Sequence, residues 1–230
     1  MPPKLYFHPL ASFCWKALIA LYENDTPFEP KIVDLGNADS RADFTKIWPL
    51  AKFPVLRDET KNRTVAEATI IIEYLDATYP GTTRFVPADP DRAWQTRMWD
   101  RVYDHYIHEP MQKMVTDRLR PAGSNDPHGV EQAEAQIREA YALVDRELGS
   151  KAWAMGDDFS LVDCAAAPAL AYASLVVPFD ATHKNLPAYL DRLRERPSFG
   201  WVLQEAEPYF KLFPLEQKPQ LGRNPTQAGP

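Results

Sequence analysis

Phe53-Pro54-Val55-Leu56-Arg57-Asp58-Glu59-Thr60-Lys61-Asn62-Arg63-Thr64-Val65-Ala66-Glu67-Ala68-Thr69 is the stretch on which the fold turns. Residues 53–56 form a short apolar run opened by a proline, residues 58–62 are a polar turn, and residues 63–65 are a second short run. Both runs read as strands of a hairpin. From Glu67 the period changes: Ala68, Ile71, Ile72, Leu75 and Tyr79 fall on one helical stripe, which Pro80-Gly81 ends. A proline opening a strand is either an edge device or a cis residue that turns the backbone of Val55 toward an extended peptide ligand. Where the second strand runs into the helix, free N–H groups and the helix dipole favour a carboxylate. Glu67 there either complements the dipole or receives an ammonium group lying beside that carboxylate. A ligand carrying both groups, such as the end of an α-amino acid, fits such a place.

Toward the N-terminus, residues 4–8 read as an apolar strand closed by Pro9, followed by a helix from Ser12 to about Glu23 with Ala17, Leu18, Leu21 and Tyr22 on its periodic face. Residues 24–27 are a turn, 28–33 a second strand, and 40–48 a weakly signalled helix. The order through residue 81 is β-α-β-α-β-β-α, which fits a four-stranded mixed sheet carrying helices. Ser12 serves either as a plain N-cap or as a hydroxyl at a helix N-terminus donating to a ligand thiolate. Cys14 also lies in the first turn, where thiol pKa values can fall. However, Ala11-Ser12-Phe13-Cys14 has the register of C-x-x-C without its outer cysteine, so Cys14 reads mainly as a packed residue.

Beyond residue 90 the strand signals stop. Trp94, Met98, Val102 and Tyr106 recur on a long helix, Val130 to Leu148 mark a second, Ser160-x-x-Asp163 opens a third as a capping-box-like pair, and residues 186–194 and 199–213 suggest two more. The chain thus divides into an α/β part (1–81), a linker (82–90), an all-α part (91–216) and a flexible tail (217–230). The apolar segment 161–179 is interrupted by Asp163, Pro168 and Pro178, so it reads as a buried helix, not a membrane span. A net charge of −6 over 230 residues disfavours binding to nucleic acid or anionic lipid. Two cysteines exclude a disulfide scaffold and a Cys-based zinc site. With no targeting pattern at the start, the expected location is the cytoplasm. His105 and His108 read as surface or interface residues, and Trp94 and Trp99 as core or subunit-contact residues.

Together, the strand-opening Pro54, the Glu67 helix start and an all-helical half with Ser160-x-x-Asp163 resemble a cytosolic glutathione transferase over about residues 4–213. The opening Tyr6-Phe7-His8-Pro9 with Ser12-Phe13-Cys14-Trp15 resembles bacterial serine- or cysteine-type members. The resemblance implies a thioredoxin-like N-terminal domain, a helical C-terminal domain, a homodimer, and glutathione as co-substrate without a metal. It implies conjugation of the glutathione thiolate to hydrophobic electrophiles, as in detoxification, with Ser12 as the catalytic residue and Cys14 as its alternative. Glutathione would meet Phe13, Lys52, Phe53, Pro54, Val55, Glu67 and Ala68. Leu10, Phe13, Tyr103 and Tyr106 would line the electrophile pocket, and Asp100 or Asp104 of the second subunit would reach the γ-glutamyl ammonium. Two departures stand out. Ala68 replaces the usual serine after the glutamate, leaving Thr69 as a possible substitute, and Ala11 occupies the place of the activating serine of serine-type members. The competing readings are a thiol transferase or reductase using Cys14, and a non-catalytic binding or scaffold protein on the same fold.

Overall fold

The computed structural model describes residues 1–215, so the tail assigned to 217–230 lies outside the described residues. The N-terminal part runs β1 (Lys4–Phe7), α1 (Ser12–Glu23), β2 (Glu29–Ile32), α2 (Ala38–Ile47), β3 (Val55–Asp58), β4 (Arg63–Ala66) and α3 (Ala68–Thr78). The sheet order is β2-β1-β3-β4, with β1 parallel to β2 and the other pairs antiparallel. A parallel neighbour requires a crossover, which α1 provides, while the antiparallel β3–β4 pair needs only a hairpin. Asp58 ties that hairpin to α3: it accepts from Thr60 (2.6 Å), Tyr74 (2.7 Å) and Tyr79 (2.5 Å). The second helix begins earlier than its sequence suggests because Asn37 caps it, accepting from the Ser40 N–H at 3.0 Å.

The remainder is helical: α4 (Pro90–Tyr103), a π-helical segment (Asp104–His108), α5 (Glu109–Asp117), α6 (Pro127–Leu148), α7 (Leu161–Val176), α8 (Leu186–Glu195), α9 (Pro197–Ala206) and a 3-10 segment (Glu207–Leu212). The single long helix expected around Tyr106 is therefore two α-helices joined through a π segment. Its apolar stripe faces outward, so of the two readings of Trp94, core or subunit contact, the core reading does not hold. Trp94, Met98 and Tyr106 are 55%, 44% and 53% exposed, and the buried face of α4 carries Ala93, Thr96, Asp100 and Tyr103. Periodicity points to the wrong face here because Asp100 is buried by an ion pair with Lys16, which hydropathy does not register.

Helix α1 forms the seam of the molecule. It packs against α3 on one side and against α7 and α9 on the other, which is why its residues from Cys14 to Leu21 are all buried. Its neighbour α7 is buried from Leu161 through Ala173, and its many alanines let adjacent helices approach closely. The expected capping box is present, with Asp163 accepting from the Ser160 N–H at 2.8 Å. The same carboxylate accepts from the Ala154 N–H (2.9 Å) and the Tyr189 hydroxyl (2.6 Å), joining the start of α7 to α8. Among the described residues, no helix is long and apolar enough to cross a membrane.

Candidate functional site

The loop between β1 and α1 is held from both halves of the chain. Trp15 Nε1 donates to the Pro9 carbonyl (2.7 Å), Leu10 N–H to His8 Nδ1 (3.1 Å), and the Tyr172 hydroxyl of α7 to the Leu10 carbonyl (2.9 Å). This fixes where α1 starts. Ala11 takes the cap position, without a side-chain cap, and Ser12 is the first helical residue. The hydroxyl of Ser12 is therefore not spent on capping its own helix. It lies 2.5 Å from His108 Nε2 and accepts from Gln112 Nε2 at 3.4 Å. His108 itself is fully buried and stacked on Phe13, with ring centroids 3.8 Å apart and planes at 8°.

Burial, followed by the nearby Lys16 charge, pushes the His108 pKa well below its ordinary value, so the imidazole is neutral and carries one N–H. Its Nδ1 has no hydrogen-bond partner among the described residues. A serine hydroxyl offers one hydrogen and two acceptor sites. If His108 carries its proton on Nε2, both acceptor sites of the buried Ser12 are filled, by His108 and Gln112, and its O–H is left to donate to a third group. Sequence reasoning missed both partners. They lie 96 and 100 residues away in sequence, and His108 reads there as a surface or interface residue.

Cys14 lies one turn inward, fully buried, and burial pushes its thiol up to about 12. A thiol so placed is neither accessible nor ionised at neutral pH, so the Cys14 alternative loses its physical basis. Tyr103 is also corrected: it is 1% exposed within the helical core, so its side chain offers no wall to a solvent-open pocket. Leu10 and Phe13 are half-buried beside the loop, and Tyr106 is exposed on the π segment. The imidazole of His8 stacks on Phe53 (6.3 Å) and meets the edge of Tyr209 from the C-terminal 3-10 segment (5.4 Å), adding two aromatic groups to the same surroundings.

The Phe53–Pro54 peptide bond is cis, and Val55 follows it as the first residue of β3, paired with Tyr6 and Ala66. Lys52 is exposed just before it. At the end of β4, Glu67 occupies the cap position of α3 with φ 67° and ψ 118°, exposed and with no side-chain cap bond. A non-glycine residue at such a φ stores strain of about 1–3 kcal/mol, a feature concentrated at functional sites. Ala68 and Thr69 follow, both buried. Thr69 does not replace the missing serine. Its hydroxyl donates to Asp100 (2.8 Å) and accepts from Lys16 (3.1 Å) and Arg101. Asp100 and Asp104 are likewise committed within their own chain, to Lys16 at 2.9 and 2.7 Å, so neither is available to a second subunit. Burial raises the Asp104 pKa against the pull of Lys16, and the same two carboxylates hold Arg101 above its usual range despite its partial burial. No group of three or more metal-ligating side chains is gathered among the described residues.

Two family models match the chain: the glutathione S-transferase N-terminal domain over residues 5–83 and the glutathione S-transferase C-terminal domain over residues 127–202. The chain belongs to the cytosolic glutathione S-transferase superfamily. It is 28% identical over 193 residues to glutathione S-transferase GstB of Escherichia coli, covering 82% of this chain and 91% of that protein. It is 27% identical to glutathione S-transferase U25 of Arabidopsis thaliana, covering 91% and 92% of the two chains. A glutathione S-transferase of Methylobacterium radiotolerans, solved in complex with glutathione sulfonate, superposes with a TM-score of 0.77 at 26% identity, covering 88% of this chain and 94% of that one. In this superfamily chain, the two halves meet along α1, at whose N-terminus Ser12 lies.

Proposed function

We propose that this glutathione S-transferase superfamily member conjugates the glutathione thiolate to a hydrophobic electrophile, with Ser12 as the hydroxyl that donates to the thiolate. The observation that carries the reading is the Ser12–His108 contact at the start of α1. With His108 and Gln112 both donating into Ser12 Oγ, the serine proton is directed to the ligand sulfur. Stabilising the anion lowers the thiol pKa from about 8.5 toward neutrality, and the released proton goes to solvent. The thiolate then attacks the electrophilic carbon, and the leaving group departs with the electron pair. The tripeptide backbone would pair with Val55 after Phe53-Pro54, with Lys52 and Phe13 at its flanks and Glu67 and Ala68 at its γ-glutamyl end. Leu10, Phe13 and Tyr106, joined by Tyr209, would face the electrophile.

Conjugation of glutathione to a chlorodinitrobenzene, followed by absorbance, tests this. Removing a single preorganised donor to a developing or stabilised anion typically costs about 10²-fold or more in rate, and Ser12→Ala is expected to lose that much in kcat/KM. Full activity in Ser12→Ala would remove the serine from the mechanism. Both cysteines are buried free thiols, which suits a reducing cytoplasm. A homodimer is also proposed, through the exposed Trp94 and Met98 of α4 and Ile70 of α3, which flank the Arg97–Glu73 ion pair between those helices.

A second reading, a non-catalytic binding or scaffold protein, is favoured by one feature: Ala68 lacks a hydroxyl and that of Thr69 is already engaged. Calorimetric titration with glutathione separates the two, since a scaffold that has lost the site shows neither heat of binding nor conjugation.

A further inference from the structure

Lys16 is the one lysine whose side chain is wholly buried among the described residues, and no part of the mechanism above uses it. Its ammonium donates to Thr69 Oγ1 (3.1 Å), to Asp100 Oδ1 (2.9 Å), and to both carboxylate oxygens of Asp104 (2.8 and 2.7 Å). Arg101 closes the cluster from the solvent side against the same two carboxylates, so two positive and two negative groups balance. Lys16 lies four residues after Ser12, on the same face of α1. Asp104 lies four residues before His108, and the two bracket the π segment. Ser12–His108 and Lys16–Asp104 are therefore successive rungs between α1 and the π segment, running in opposite chain directions. A third arm of Lys16 reaches Thr69 in the first turn of α3, next to Glu67.

Burying such a cluster gains little stability by itself. Taking charges out of water costs several kcal/mol per ion, and apolar residues of similar volume often serve as well. What an ion cluster does better than an apolar contact is fix direction and register. A π segment has a register that can slide, and π-bulges of this kind are frequent at functional sites.

We propose that Lys16 is a positioning residue for glutathione: its bridge to Asp104, Asp100 and Thr69 locks the Ser12–His108 pair in register with the first turn of α3. One side chain thereby sets the distance between the thiol end and the γ-glutamyl end of the tripeptide site. This rests on the glutathione site proposed above.

The test uses the full chain, with melting temperature, calorimetric glutathione binding and conjugation of a chlorodinitrobenzene as readouts. Lys16→Met leaves Asp104 without its lysine and is expected to lower the melting temperature. Lys16→Met/Asp104→Asn removes one charge of each sign, keeps the Asp100–Arg101 pair, and is expected to recover most of that loss. Its KM for glutathione is nevertheless expected to remain raised at least tenfold, with the KM for the aryl halide within twofold of the parent. Recovery of melting temperature and glutathione KM together would make the cluster a purely structural feature and overturn the proposal.

Thr69→Val, which leaves every charge paired while removing the hydroxyl that meets Lys16, Asp100 and Arg101, carries the test should the double variant not fold. A rise of at least fivefold in glutathione KM at an unchanged melting temperature supports the proposal, and an unchanged KM overturns it. A parent chain that binds no glutathione overturns both the proposed function and this inference. A parent that binds, alongside variants that bind equally well, overturns this inference alone.

Discussion

On the proposed function, His108 positions Ser12, and its burial makes stability depend on pH. Its ring is held by the stack on Phe13 while Nε2 meets Ser12. Replacing it with phenylalanine keeps a flat ring against Phe13 and removes the donor. His108→Phe is expected to lower kcat/KM for conjugation about 10-fold, less than the roughly 10²-fold cost of losing a donor to the anion itself, because His108 acts through Ser12 and Gln112 still contacts the hydroxyl. The same variant tests the titration. Burial, then Lys16, holds the native pKa well below the ordinary 6.5. As pH falls through that value the unfolded chain takes up a proton that the native state refuses. The His108 contribution to stability is therefore complete above 6.5 and is lost as pH falls toward the native value. The melting temperature of the parent is expected to fall more steeply than that of His108→Phe between about pH 6.5 and pH 5. Parallel curves from the two proteins would mean that the imidazole is not held neutral. Ser12 was legible in the sequence because a serine after a strand and loop marks a helix start. Its partners were not, because no local pattern identifies a histidine that arrives from another helix.

At the scale of elements, the junction of β4 and α3 concentrates the conformational cost of the site. Glu67 adopts a φ that suits glycine, so Glu67→Gly relieves backbone strain while deleting the carboxylate. The expected outcome is a melting temperature equal to or above the parent's together with a severalfold higher KM for glutathione; a lower melting temperature with unchanged KM contradicts both parts. The start of α7 makes the opposite case. Ser160 and Asp163 act on structure alone, and Ser160→Ala is expected to cost about 1 kcal/mol of unfolding free energy in denaturant titration, with glutathione KM unaffected. Both helix starts are readable from residue type and spacing. The π segment is not, since five residues of altered hydrogen bonding leave the periodicity of their neighbours almost unchanged.

For the whole molecule, the outward face of α4 presents an exposed apolar surface among the described residues. Trp94 and Met98 stand exposed beside the Arg97–Glu73 pair, with Ile70 on the adjoining helix. Trp94→Glu/Met98→Glu is expected to shift the chain from dimer to monomer in sedimentation velocity without lowering its helix content, and a parent sedimenting as a monomer would remove this surface as an interface. The sequence by itself determined the order of elements, the division into an α/β part and a helical part, the special proline before Val55, the capping box and the family, because these depend on local spacing. Only the tertiary structure decided which face of α4 is buried, that Cys14 is sealed away, that the Thr69 hydroxyl is spent, and that His108 and Lys16 are buried against Ser12 and Asp104. Each of these depends on pairings between residues tens of positions apart, in which a buried charge or polar group is accepted because a distant partner meets it, and hydropathy has no means of registering that.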